Sequence, residues 1–373
     1  MIHLNTAGAG LMPDVVANAM LDCLHREVEY GAYETELHYE KILQQEVYKR
    51  IAALVGAPAD DVAFFDSATR AWVRVVSRLD LKPGDKVWVS PYEYAGNLIS
   101  LLALRERTGC VIETIPTTTT GDLDLEWMSA HVNGDVAFVS ITHIPSGCGI
   151  VNPVAEIGRI LAGHRAFYAV DACQSVGQVP IDVAAFGCAL LTGAGRKFLR
   201  GARGTGFAYV APELRAALQV ETYDLHVARA DSPTSYVVED DSARSLELAE
   251  RTTAAVLGFN AALDYMSTVD AYGNREVYQA LRGMLAELPV EMIEPGTVHS
   301  GIASFRHATV SAERIRDGLA ERGINGWKIH GDHTPIYMGE RGIDTAVRLS
   351  VHYYNTLDEV AAAGRALAEI LGA

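Results

Sequence analysis

Cysteine is scarce in this chain of 373 residues: Cys23, Cys110, Cys148, Cys173 and Cys188 are odd in number, far apart and never spaced Cys-x-x-Cys. That spacing argues against a disulfide framework and a zinc site, and no metal is expected. Basic residues are also short, 31 Lys and Arg against 47 Asp and Glu, for a net charge of −16. A surface of that sign repels nucleic acid and anionic membrane, so any phosphate must be held by a local pocket. There is no run of about 18 apolar residues, and the start Met1-Ile2-His3-Leu4-Asn5 lacks a basic segment followed by an apolar one. Neither secretion nor membrane spanning is expected, and a reducing cytoplasm suits the cysteine content. No repeat of about 20–50 residues and no low-complexity tract is present, which excludes solenoids, propellers and tails.

What is present is ordinary for a folded protein: 49% hydrophobic residues, 21% charged, 33 Gly and 13 Pro. The length suits two lobes. Apolar residues recur at helical spacing over 14–30 and 36–55 (Val15, Ala19, Leu21, Leu24; Ile42, Val47, Ile51, Leu54), with a turn expected at Gly31-Ala32-Tyr33. From residue 60, short β-rich runs alternate with helical stretches: Val62–Phe65, Lys86–Val89, Val111–Ile115, Val136–Ile141, Phe167–Val170, Ala189–Leu191 and Gly206–Val210. That alternation predicts an α/β domain with a mainly parallel sheet covered on both faces. A polar segment, 222–245, precedes a helical stretch over Glu247–Met266, and the rest alternates helices with short strands at Gly301–Phe305 and Ala346–Val351. The expected division is a large α/β domain over 14–268 and a smaller α+β domain from 1–13 and 269–373.

Several strand runs end in small or polar residues, among them Asp66-Ser67-Ala68-Thr69, Ser90-Pro91-Tyr92-Glu93-Tyr94, Thr142-His143 and Asp171-Ala172-Cys173-Gln174. Open α/β sheets bind ligands beyond the carboxyl ends of their strands, so these tails should meet in one crevice. Lys197 lies in a glycine-rich loop, Gly193-Ala194-Gly195-Arg196-Lys197-Phe198-Leu199-Arg200-Gly201, at a strand end. A lysine among arginines reads equally as a Schiff-base nucleophile of lowered pKa or as part of a phosphate-binding loop. Asp171 alone reads as a strand-end acid or helix cap. Together, strand-Asp-x-x-Gln followed by a glycine-rich lysine turn is the order required by a fold-type I pyridoxal phosphate site.

On these residues, and on Leu4-Asn5-Thr6-Ala7-Gly8 and Arg348-Leu349-Ser350-Val351-His352-Tyr353-Tyr354-Asn355 near the two ends, the sequence resembles the class V aminotransferase family. That family includes cysteine desulfurases, isopenicillin-N-epimerase-like proteins and the C–S lyase of ergothioneine biosynthesis. The resemblance implies a fold-type I transferase with pyridoxal 5'-phosphate, in which Lys197 bonds the cofactor, Asp171 pairs with the ring nitrogen and Gln174 bonds its 3-oxygen. It implies that Ala68, Thr69, Arg196 and Thr192 hold the phosphate, although Ala194 stands where relatives carry Ser or Thr. Tyr94 occupies the place of the ring-stacking His of desulfurases; it retains the aromatic face but not the imidazole proton. His143 takes the place of an Asn near the cofactor and the substrate carboxylate. Arg348 matches the arginine that grips an α-carboxylate, with Asn5, Thr6 and Ala7 lying over it. Lys197, Tyr94 and His143 are thus the expected catalytic groups, the substrate is amino-acid-like, and a homodimer with sites at its interface is expected.

The small-lobe loop Ile329-His330-Gly331-Asp332-His333-Thr334-Pro335-Ile336-Tyr337 has no cysteine, whereas a desulfurase uses a mobile one to take up sulfur. The Thr69-Arg70-Ala71-Trp72 and Arg203-Gly204-Thr205-Gly206 wording is closest to ergothioneine-type lyases and to enzymes that process S-glycosylated cysteine in lincosamide pathways. The resemblance therefore implies β-elimination from a cysteine S-conjugate, giving thiol, pyruvate and ammonia. The rivals are decarboxylation with oxidative deamination of the same conjugate, an epimerase or a transaminase, and a non-catalytic binding module. Tyr33, Tyr223–His226 and Tyr337 read equally as walls of a sugar- or peptide-sized pocket and as packed surface turns.

Overall fold

In the computed structural model the described residues are 1–219, 223, 225–273 and 275–372. Strand β1 (Ile2–His3) precedes β2 (Val62–Phe65), β3 (Lys86–Val89), β4 (Val111–Thr114), β5 (Val136–Thr142), β6 (Phe167–Asp171), β7 (Leu190–Ala194) and β8 (Gly206–Val210). From β2 onward these strands form one sheet in the order β2-β8-β7-β6-β5-β3-β4. Strands β3 to β7 pair in parallel, while β8 runs antiparallel to both β7 and β2. Every residue of β5 and β7 is buried, as expected of strands covered on both faces. The strand period sorts the core: Tyr168 and Val170 of β6 pack in one hydrophobic cluster, and Ala169 between them packs in the other.

Five helices of the first 108 residues are α1 (Asp14–Tyr30), α2 (Ala32–His38), α3 (Val47–Val55), α4 (Ala68–Val76) and α5 (Ala95–Thr108). The turn expected at Gly31-Ala32-Tyr33 shrinks to Gly31 alone, whose φ of 98° a side chain would disfavour. The helix expected over 36–55 is broken instead: α2 ends at His38, and a π-helical turn, Ile42–Glu46, leads into α3.

Within the stretch read as polar, β9 (Ala228–Ser232) and β10 (Ser235–Val238) form an antiparallel hairpin around Pro233-Thr234. Residues 222 and 224, and with 224 part of the Tyr223–His226 reading, lie outside the described residues. The helix expected from Glu247 starts only at Thr253 and runs to Met266. The buried Glu247 carboxylate is engaged elsewhere, accepting from the Phe64 N–H at 2.8 Å and the Tyr48 hydroxyl at 2.7 Å, so its segment packs on β2.

The last third builds a second sheet. Strands β11 (Glu291–Met292), β12 (Ile302–Arg306), β14 (Trp327–His330) and β15 (Thr345–Ser350) lie antiparallel in the order β11-β12-β15-β14. The short β13 (Ile324–Asn325) pairs in parallel with β1, and Asn5 bridges to Ser350. The first residues of the chain are thereby tied to its last strand, and the helix Leu357–Leu371 behind them carries a full capping box between Thr356 and Glu359. Among the described residues no helix is long and apolar enough to cross a membrane.

Candidate active site

The carboxyl ends of β5, β6 and β7 open into a cavity of about 300 Å³. Parallel strands put their tails at one edge of the sheet, so residues distant in sequence meet there. Eight residues singled out from the sequence line it: Ala68, Thr69, Tyr94, Asp171, Gln174, Thr192, Arg196 and Lys197.

One wall is the first turn of α4. Ser67 caps it, its hydroxyl accepting the Arg70 N–H at 3.1 Å, and the Ala68 and Thr69 amides have no acceptor within the helix. This turn lies tight on β8: a Cβ on Gly206 would come within 2.4 Å of the Ala68 nitrogen. Arg196 and Arg203 line the same cavity, and burial, followed by the charge of Arg203, lowers the Arg196 pKa. Two guanidinium groups beside free helix amides make an anion site.

Lys197 is enclosed, and its pKa lies below the usual lysine value. Burial is the main cause; Arg196 and Arg348 act in the same direction and the Cys173 and Asp171 charges oppose them. A lowered pKa makes the neutral, nucleophilic amine easier to reach than in an exposed lysine. Asp171 accepts from the Asn97 amide at 2.8 Å and from the Cys173 N–H at 2.9 Å. Tyr94 is 39% exposed and stands at the start of α5, its hydroxyl raised in pKa by burial and then by Asp171 and Cys173.

Five expected residues are not on the cavity lining. Arg348 and Asn5 stand just behind it: Arg348 donates to the Ser146 carbonyl at 3.3 Å, Ser146 lines the cavity, and the other Arg348 amine donates to Asn5 Oδ1 at 3.2 Å. Burial, then Arg196, lowers Arg348 to about 10, and no carboxylate pairs with it among the described residues. The Ala7 carbonyl accepts from Gln174 Nε2 at 3.1 Å, and Thr6 is fully buried against the Tyr354 hydroxyl at 2.5 Å. These two build the wall rather than face the opening.

His143 departs from expectation. Thr142 and Ile144 line the cavity and His143 between them does not; its ring packs edge-on to Phe186, centroids 5.3 Å apart. Burial lowers its pKa to about 4. The backbone of His143 still serves the site, its N–H bonding the Asp171 carbonyl at 2.9 Å. The reason is the alternation of side chains along an extended segment, which sends neighbours to opposite faces. Of the aromatic residues read as pocket walls, Tyr33 is 81% exposed and Tyr337 is buried edge-on against Tyr92.

Asn97, Cys173, Ser146 and Arg203 also line the cavity and were not singled out individually from the sequence. Asn97 carried a legible signal, sitting four residues after Glu93 at a strand-to-helix tail; Ser146 carried none.

The residues fit a phosphorylated pyridine. Among the described residues Gln174 Oε1 and Arg348 Nε are buried without a hydrogen-bond partner, which is costly unless a ligand supplies one. The cavity offers an acid for a ring nitrogen, an aromatic face, a lysine of lowered pKa and an anion site.

Comparison with known proteins agrees. The family model described as "Aminotransferase class-V" matches residues 2–362. A probable cysteine desulfurase of Methanothermobacter thermautotrophicus is 29% identical, the alignment covering 100% of this chain and 95% of that protein. The apo structure of a cysteine desulfurase from Thermococcus onnurineus NA1 superposes with a TM-score of 0.89 at 23% identity, over 100% of this chain and 95% of that one. The cystine C–S lyase C-DES, solved with its reaction product cysteine persulfide, gives a TM-score of 0.86 at 19% identity, over 98% and 97% of the two chains. A second structure of that lyase carries glycine covalently linked to its PLP cofactor.

Proposed function

The chain belongs to the class V aminotransferase family, and from that premise we propose that it is a pyridoxal phosphate-dependent carbon–sulfur lyase that cleaves cysteine S-conjugates to thiol, pyruvate and ammonia. The observation that carries this reading is a cavity-lining lysine of lowered pKa with, just behind the cavity wall at Ser146, a buried arginine that among the described residues has no acid paired to it. Relatives named cysteine desulfurase and cystine C–S lyase support chemistry at the sulfur of a cysteine-type substrate.

When bound, pyridoxal phosphate supplies an electron sink for charge developing at the substrate's α-carbon. Asp171 would hold the proton at the ring nitrogen, Gln174, whose Nε2 donates one N–H to the Ala7 carbonyl, would offer the second to the ring's oxygen substituent, and Tyr94 would provide an aromatic face for the ring. The amides of Ala68 and Thr69, with Thr192, Arg196 and Arg203, take the phosphate. Arg348 and Asn5 orient the substrate through its α-carboxylate, which fixes the bond that breaks. The Lys197 amine then removes the α-proton, the Cβ–S bond breaks, and the sulfur leaves as thiolate; water completes release of pyruvate and ammonia.

The relatives named cysteine desulfurase have this chain's fold, but its cysteines do not suit persulfide transfer of that kind. All five cysteines are free, and only Cys173 lines the cavity. Its N–H is bonded to Asp171 at a strand end, and burial raises its thiol well above the usual range. It is a wall residue rather than a mobile nucleophile.

The enzyme acts as a cytoplasmic homodimer in this reading. An exposed apolar row on α1 (Leu21, Leu24, Val28) supports the second copy.

The test is incubation of the protein, loaded with pyridoxal phosphate, with S-alkyl and S-glycosyl cysteines, with mass analysis of products. Free thiol and pyruvate in equal amounts are expected, and neither with Lys197→Ala. Release of CO2 with the C–S bond intact would replace this reading by the decarboxylating one.

A further inference from the structure

The acid Glu93 plays no part in the mechanism above, yet it is the most completely enclosed carboxylate near the cavity. It sits between β3 and α5 with 0% of its surface exposed. Oε1 accepts from the Thr142 hydroxyl at 2.6 Å, the Asn97 amide at 3.0 Å and the Tyr94 N–H at 3.0 Å; Oε2 accepts from the Ser140 hydroxyl at 2.6 Å. Among the described residues no lysine or arginine pairs with it. The second N–H of Asn97 donates to Asp171 Oδ2 at 2.8 Å. One amide group thus spans two carboxylates.

We propose that Glu93 is a positioning residue that, through the Asn97 amide, sets the direction of Asp171 toward the cofactor's ring nitrogen and adds to the negative field that keeps a proton on that nitrogen. The proposal rests on the pyridoxal phosphate reading above.

Two arguments carry it. The first is geometric. Both hydrogens of the Asn97 amide are used, and a flipped amide would turn its oxygen onto two acids, so Asn97 has one allowed orientation and Asp171 inherits it. The second is electrostatic. Burying an acid with four donors and no cation is costly, and an apolar side chain of similar volume would pack there more cheaply. A carboxylate held by four donors adds its negative field to that of Asp171 across a low-dielectric gap, which favours the protonated form of a ring nitrogen placed against Asp171. Burial raises the Glu93 pKa, the donors oppose that shift, and the Asp171 charge adds to it, so the two acids feel each other.

The groups facing this relay are Tyr94 from the start of α5, Cys173 after β6, and Lys197 and Arg196 after β7, with Arg348 of β15 acting on Lys197. None of them touches Glu93 except the Tyr94 backbone N–H.

Glu93→Gln separates charge from shape. The Ser140 hydroxyl, the sole partner of Oε2, can reverse and accept from a new amide nitrogen, while the amide oxygen keeps the three donors at Oε1. Holoprotein carrying cofactor labelled with 15N in the ring is examined by NMR at constant pH, with the melting temperature and visible band as controls. In Glu93→Gln the ring-nitrogen resonance is expected to move toward that of unprotonated pyridine while the visible band remains. Asn97→Ala, which leaves Glu93 in place but breaks the link, is expected to shift it the same way, and serves alone if Glu93→Gln does not fold. A resonance identical to wild type in the folded variants overturns the relay and leaves the cofactor reading intact. Wild-type protein that takes up no pyridoxal phosphate overturns both.

Discussion

The two sides of the cavity are furnished differently. On the side built by strand ends of the seven-stranded sheet, the Asp171 carboxylate has two donors and Glu93 has four. On the side contributed by the four-stranded sheet, Arg348 is buried and, among the described residues, has a carbonyl and an amide oxygen as acceptors and none at Nε. The first side is already held in place by internal hydrogen bonds, with Gln174 Oε1 left open; the second holds a buried cation whose full set of acceptors the described residues do not supply. In the proposed reading, that division keeps the cofactor-side acids rigid and leaves the Arg348 guanidinium for the substrate's carboxylate.

The strongest test of the comparison removes the group at its centre. Lys197→Ala is expected to lower pyruvate formation by about 10³-fold or more, because nucleophile and base are lost together; single-turnover assays check it. Arg348→Ala breaks the second side. Loss of a charge-assisted pair worth about 1.5–3 kcal/mol corresponds to a fall of about ten- to a hundredfold in kcat/KM, expressed mainly in KM, and Arg348→Lys should restore little of it because an ammonium lacks the planar fork. An unchanged KM in Arg348→Ala would remove the carboxylate-gripping role.

A third prediction concerns acid. The folded-state pKa of His143 is lowered to about 4 and that of His352 to about 3, in both cases chiefly by burial. A base whose folded pKa is lowered leaves stability intact above its unfolded value near 6.5 and removes it as pH falls toward the folded value, because the unfolded chain binds the proton first. Melting midpoints should therefore fall between pH 6.5 and about pH 3, with His143 contributing about 3 kcal/mol and His352 about 5 kcal/mol over their windows. His143→Gln should flatten this acid limb while changing kcat/KM by less than about threefold. A large loss of activity at unchanged stability would return His143 to the site.

The smallest effect is expected at Tyr94. An aromatic stacking contact worth about 0.5–1.5 kcal/mol predicts that Tyr94→Ala weakens pyridoxal phosphate binding by about three- to tenfold, and that Tyr94→Phe leaves it nearly unchanged. Equilibrium titration of apoprotein distinguishes them.

Much of this was legible before any coordinates. The apolar runs that became β2 to β8 are each within three residues of the expected limits, because the central strands, buried on both faces, must be apolar along their length. Lys197, Asp171 and Gln174 stand out because the chemistry needs them at strand ends, and strand ends can be located from local pattern alone. The breaks were less visible. Nothing local reveals that Glu247 gives up a helical start to bind the Phe64 N–H, or that a π-helical turn interrupts the second helical stretch. Both follow from partners far away in the chain.

The order of amino acids determines which chemical groups this protein owns and, through the period of its apolar residues, the sheet edge at which they gather. Which way each one points is a tertiary outcome. His143 and Thr142 are adjacent in sequence, yet one packs on Phe186 and the other donates to Glu93. Asn97 connects two acids from different strands, and Arg348 meets Asn5 across nearly the whole length of the chain. Direction at a strand end is set by pleat, register and the neighbours that fill each face, and those are properties of the packed molecule rather than of any local segment.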